Sequence, residues 1–149
     1  MTNGATGQID FNADIGESFA GYELGLDSEI VKYITSANIA TGFHAGDPDW
    51  MARTVAIAVE NDVGIGAHPA YPDLAGFGRR NMDLTPAEVH NAVTYQVGAL
   101  AAFAPDRKMQ HVKPHGALYN TAVRDAAVAE AIVLAVQAFD PDLIHVVLA

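Results

Sequence analysis

An α/β fold of parallel strands joined by helical crossovers is what this 149-residue chain predicts. Three observations carry the prediction. Short apolar runs alternate with amphipathic stretches, those stretches open on helix-capping signals, and polar residues flanked by Gly or Pro recur where the apolar runs end. The runs at residues 8–12, 38–43, 63–67, 110–114 and 143–148 are read as strands.

The helices lie between them. A short one is expected over 28–35. Asp47-Pro48 reads as an N-cap followed by Pro in the first turn, opening a helix to about residue 61 with Met51, Val55 and Val59 on one face. Thr85-Pro86-Ala87-Glu88 is a capping box, and Val89, Val93, Val97 and Leu100 form the apolar stripe behind it, ending near Ala104-Pro105. A last helix is expected over 122–139, with Val128, Ile132 and Val136 aligned and Asp140-Pro141 as its stop. The resulting alternation implies parallel strands with right-handed crossovers. Periodicity leaves open whether such a sheet is doubly wound or curls into a barrel. A closed βα barrel takes about 250 residues, so residues 1–149 are expected to be one βα-barrel domain lacking its C-terminal part. A sheet left unclosed predicts self-association, a homo-oligomer, or cover by another chain.

Composition narrows the function. There are 8 Lys and Arg against 18 Asp and Glu, a net charge of −10, which argues against nucleic acid and against anionic membrane surfaces. With no cysteine, disulfides, thiolate metal sites and a Cys nucleophile are excluded. The start MTNGATGQ lacks a basic region followed by an apolar run, so the expected compartment is the cytoplasm. Neither Gly-Lys-Ser/Thr nor a strand-borne G-x-G-x-x-G occurs, so a nucleotide would have to bind by other means.

The chemistry gathers at four successive strand ends: Asn12 to Glu17, Gly42 to Asp47, Gly64 to Pro69 and Lys113 to Gly116. In parallel βα folds these ends converge on one crevice. Alternation puts Asn12 and Asp14 on one strand face, and Lys113 and His115 on another. Asp14, His44, His68, Lys113 and His115 are the candidate catalytic residues. Asp14 is either a metal ligand or a general base, and Lys113 would stabilise a developing oxyanion. An Asp with two neutral imidazoles could hold a divalent metal such as Zn²⁺, with a position open for water. Arg79 and Arg80, in the long 69–84 segment, are read as gripping a carboxylate or phosphate, and Asp47 as a helix cap. His90 falls on a helix face; His111 and His145 fall at strand starts on the opposite rim and are read as structural.

The stretches IDFNADIGES (9–18), TSANIATGFHAGDP (35–48), GIGAHPAYPDLAGFGRR (64–80), YQVGAL (95–100) and HVKPHGALYN (111–120) resemble the LamB/YcsF family of lactam-utilisation proteins. The resemblance implies a distorted seven-stranded βα barrel of the glycoside hydrolase/deacetylase type. It also implies ATP-dependent opening of 5-oxoproline to L-glutamate, carried out with partner subunits B and C of a 5-oxoprolinase. Carried onto this sequence, it puts Asn12, Asp14, Glu17, His44, His68, Lys113, His115 and Asn120 in or near the pocket. By likeness to deacetylases, which bind a metal through an Asp and two His, it makes Asp14, His44 and His68 the metal candidates. Asn12, Glu17 and Asn120, with Arg79 of the long segment, are the expected substrate-binding residues. Thr41 stands where the family has Cys, so that cysteine is not required for chemistry, and Ala70 stands where Gly or Ser is common. Family members continue for roughly another 100 residues, as a full barrel requires. Two other readings compete: a metal-dependent, deacetylase-like hydrolase acting without ATP, and a non-catalytic subunit that binds the lactam for a partner.

Overall fold

The computed structural model describes residues 9–148. The predicted strand residue Gln8, with the rest of MTNGATGQ and the final Ala149, lies outside the described residues. The elements run β1 (Asn12–Ile15), α1 (Asp27–Ile30) with a 3-10 turn (Val31–Tyr33), β2 (Ser36–Ala40), α2 (Pro48–Glu60), β3 (Gly64–His68), α3 (Pro86–Ala101), a 3-10 turn (Pro105–Arg107), β4 (His111–Val112), α4 (Gly116–Ala122), α5 (Ala126–Phe139) and β5 (Ile144–His145). All strand pairs are parallel and the sheet order is β1-β2-β3-β4-β5. Among the described residues no strand order reverses, so the sheet shows no doubly wound switch point there. Successive right-handed crossovers therefore leave the sheet on one side. Among the described residues no helix is long and apolar enough to cross a membrane.

That one-sidedness sorts the sequence. Ile15, Ala37, Ile39, Ile65, Ala67 and Val112 alternate onto the helix-covered face and join one core with Val55 of α2, Val93 and Val97 of α3, and Ile132 and Val136 of α5. The other face is polar. The register aligns Asp14, Asn38, Gly66 and His111 in one row across four strands. Asn38 is 0% exposed and His111 2%. The prediction that His111 lies on the opposite rim is thus corrected: it stands level with Asp14. A side chain at Gly66 would place its Cβ 2.1 Å from His111 Nε2, so glycine is what lets the ring lie across β3.

Boundaries differ from expectation for local reasons. β1 starts at Asn12 because the Asp10 carboxylate accepts the Thr35 and Ser36 hydroxyls and Phe11 N–H donates to Thr35 Oγ1, ending the ladder there. β2 stops at Ala40 because the chain turns at Gly42, whose φ is +93°, with Gly42 N–H donating to Ala45 O. β4 is reduced to two residues although Lys113 and His115 N–H groups still bond Ala67 O and Pro69 O, since Pro114 between them has no N–H. The expected 28–35 helix is a turn of α-helix followed by a 3-10 turn. The expected 122–139 helix is two helices. α4 was hidden by its shortness, and α5 begins at its own cap, Asp125, which accepts from Ala127 and Val128 N–H.

The two signalled caps are in place. Asp47 accepts from Trp50 N–H, and Thr85 and Glu88 make the reciprocal capping box. Replacing Gly66 by Ala should displace His111 and destabilise the fold by about 1–3 kcal/mol through overpacking. A lowered urea midpoint checks this, and an unchanged midpoint would contradict the reading of the row.

Candidate active site

The strand ends converge. Asp14 Oδ1 accepts from Lys113 Nζ at 2.8 Å, and Asp14 Oδ2 lies 3.4 Å from His68 Nε2. His68 Nε2 is 3.0 Å from His115 Nδ1, and His115 stacks on His44 with ring centroids 3.8 Å apart and planes 8° off parallel. His44 Nε2 meets Glu17 Oε1 at 3.1 Å. A cavity of about 360 Å³ opens beside this cluster, and Asp14, His68, Arg79, Lys113, His115 and Asn120 are among its lining residues. Asn12 stands one step back, bonded to Asn38. The structure thus brings together Asp14, Glu17, His44, His68, Lys113 and His115 directly, with Arg79 and Asn120 on the cavity wall.

The long 69–84 segment packs over the imidazoles. Phe77 and Gly78 both have positive φ, which turns the Phe77 carbonyl onto His115 Nε2 at 2.8 Å. A Cβ at Gly78 would lie 2.8 Å from His44 Cβ and 2.9 Å from His115 Cδ2. The two arginines separate here. Arg80 is tied to buried Asp73, its Nε at 2.9 Å, and braces the loop; it is not a ligand grip. Arg79 stacks over Phe77, and no carboxylate of the described residues pairs with it.

Hydrogen-bond logic fixes the tautomers. His68 Nδ1 faces the Lys113 carbonyl and His115 Nε2 faces the Phe77 carbonyl, so both nitrogens carry hydrogen. In neutral rings His68 Nε2 and His115 Nδ1 then present lone pairs to each other across 3.0 Å. A cation must lie between them, either a proton on one ring or a metal. His44 Nδ1 is buried without a hydrogen-bond partner among the described residues. Donor atoms of Glu17, His44, His68 and His115 all lie within 4.8 Å of one another, so this His/Glu cluster could hold a divalent metal. The set differs from the predicted Asp14, His44 and His68 trio in taking Glu17 and His115 in place of Asp14.

Burial pushes the pKa of His115 down to about 4, helped by the neighbouring His44 and His68 rings, and burial lowers that of His44 against the pull of Glu17. For Asp14 burial opposes ionisation, but the His68 and Lys113 contacts outweigh it and hold the carboxyl well below the usual range. Sequence reasoning missed Asn38, and it put His111 outside the site. The strand position of Asn38, two residues before Ala40, was the one signal for it.

Fold and site together define a parallel βα-repeat domain whose imidazoles and carboxylates line a crevice at the C-terminal strand ends. The chain belongs to the LamB/YcsF family, whose model matches residues 9–149. It is 59% identical over 143 residues to the 5-oxoprolinase A-subunit of Pyrococcus horikoshii, covering 95% of this chain and 56% of that protein. Against the 5-oxoprolinase A-subunit of Bacillus subtilis it is 58% identical over 139 residues, covering 92% and 54%. The crystal structure of a lactam utilization protein from Thermus thermophilus superposes with a TM-score of 0.91 at 51% identity, over 95% of this chain and 58% of that one. The chain therefore spans little more than half the length of these relatives.

Calorimetric titration with Zn²⁺ should show one site per chain that is lost in His68→Ala and His115→Ala and kept in Asp14→Asn. Loss in Asp14→Asn with retention in His115→Ala would restore the trio first predicted.

Proposed function

We propose that this chain carries the lactam pocket of an ATP-dependent 5-oxoprolinase, opening 5-oxoproline to L-glutamate with partner subunits B and C. One observation carries the reading. Asp14, His68, Lys113 and His115 converge on a cavity of about 360 Å³, in a chain whose relatives are named as the A-subunit of 5-oxoprolinase. The sequential strand order and the polar inner face favour the same sheet being part of a seven-stranded barrel. An apolar groove of about 260 Å³ between α4, α5 and β5 favours association with further polypeptide. The cytoplasm is the proposed compartment.

The five-membered lactam is resonance-stabilised, and ATP supplies the driving force by placing a phosphoryl group on its oxygen. Water then adds to the ring carbon, the carbon–nitrogen bond breaks as the nitrogen takes a proton, and a second water releases phosphate from the new carboxyl group. Nucleotide handling belongs to the assembled complex, since this chain has no phosphate loop. Within the pocket, Arg79 holds the substrate carboxylate through paired N–H donors. Lys113 Nζ, at the cavity wall, balances the negative charge of the phosphoryl group on the lactam oxygen. When no proton lies between its rings, the His68–His115 pair takes the proton of the attacking water, and ionised Asp14 balances the positive charge this leaves on the pair. Asn12, Glu17 and Asn120 complete the polar surround.

The facing lone pairs also favour a second reading, a metal-dependent hydrolase of deacetylase type. A divalent metal held by Glu17, His44, His68 and His115 would polarise a carbonyl and acidify bound water. ATP-free turnover of an acetamide would select that reading, and tight lactam binding without turnover in the complete assembly would select a purely binding role.

Reconstitution with subunits B and C should give glutamate from 5-oxoproline only when ATP is present. His68→Ala should lower kcat by about 10²–10⁴-fold, the span of a lost general base. Arg79→Ala should raise KM at least tenfold with kcat little changed, the mark of lost uniform binding. ATP-independent turnover, or an Arg79→Ala enzyme with wild-type KM, would contradict these assignments.

A further inference from the structure

The row beneath the pocket does more than fill space. The Asp14 carboxylate only accepts hydrogen bonds, so the Asn38 group 2.8 Å from Asp14 Oδ1 must be the Nδ2 amide nitrogen. Its second hydrogen goes to Asn12 Oδ1 at 2.9 Å. Asn38 Oδ1 is thereby turned to His111, whose Nε2 lies 2.6 Å away and must carry its hydrogen. The ring can reach from β4 to β2 only because β3 offers Gly66 beneath it. With Asn38 and Lys113 both donating to Oδ1, Asp14 is held so that its other oxygen, Oδ2, faces His68 Nε2.

We infer that His111 and Asn38 are positioning residues, a two-step relay across Gly66 that fixes the rotation of the Asp14 carboxylate so that one oxygen stays turned to His68 and the pocket. The inference of a catalytic consequence rests on the lactam-opening reading above; the relay itself does not. A flipped Asn38 amide would set its oxygen against the Asp14 carboxylate and its NH₂ against the His111 N–H, two repulsive contacts in place of two hydrogen bonds. The fully buried Asn38 has no water to relieve either one.

Two variants separate positioning from packing. His111→Phe keeps a ring across Gly66 but cannot donate to Asn38, whereas His111→Gln supplies an N–H that can. By NMR, the Asn38 side-chain amide protons should be slow to exchange with solvent in the wild-type chain and in His111→Gln, and at least tenfold faster in His111→Phe. In the reconstituted complex His111→Phe should lower kcat by about 10–100-fold, the scale of a misplaced group, with KM within twofold and rescue by His111→Gln. Should His111→Phe fail to fold, Asn38→Asp, which keeps the acceptor for His111 and removes the donor to Asp14, should show the same kcat loss. Unchanged amide exchange together with unchanged kcat in His111→Phe would overturn the relay. If the wild-type complex forms no glutamate, the functional reading fails while the exchange measurement still decides the relay.

Discussion

The parallel register of four strands is the constraint on which the site depends. It sets Asp14, Asn38, Gly66 and His111 side by side, and it carries His68, Lys113 and His115 to the rim just above them. A slip of one residue in any strand would exchange the polar and apolar faces. Asn38 would then enter the core against α2 and α3, and Ile39 would enter the pocket. Burial of Ile39, Ala67 and Val112 beneath the helices therefore holds the geometry of the crevice as firmly as it holds the fold.

An inner face this polar is tolerable only because its members satisfy one another. Asp10, Ser36, Asn12, Asn38, His111, Asp14 and Lys113 form a nearly continuous chain of hydrogen bonds along the face that the helices do not cover. The same low polarity that strengthens these bonds lowers the proton affinity of the imidazoles. The pKa of His111, like that of His115, is pushed by burial down to about 4. Both rings are thus neutral near pH 7, and they cost the fold stability as pH falls from their unfolded value toward 4, because the unfolded chain takes up protons first. The two unshared lone pairs at His68 and His115 are the point where satisfaction stops, and where a proton or a metal is required.

Much of this was legible in the sequence wherever a signal is local. Asp47-Pro48 and Thr85-x-x-Glu88 mark helix starts within four residues, and both are the caps observed. The strand-end residues Asp14, His44, His68, Lys113 and His115 stood out because Gly or Pro flanks most of them. What stayed hidden depends on distant pairing. Asn38 and His111 are 73 positions apart and meet only across a glycine of a third strand. Arg79 and Arg80 differ by one position, yet only the fold gives Arg80 to Asp73 and leaves Arg79 for the cavity. α4 begins directly after His115 and is too short to show periodicity.

The central claim is that imidazoles from three strand ends share one ligand-binding crevice. Its most direct test is to follow the six histidine side chains by NMR as 5-oxoproline is added. Saturable shifts are expected at His44, His68 and His115, with His90 and His145 unmoved. Saturation that moves His90 or His145 while leaving the stacked pair of His44 and His115 unchanged would contradict it.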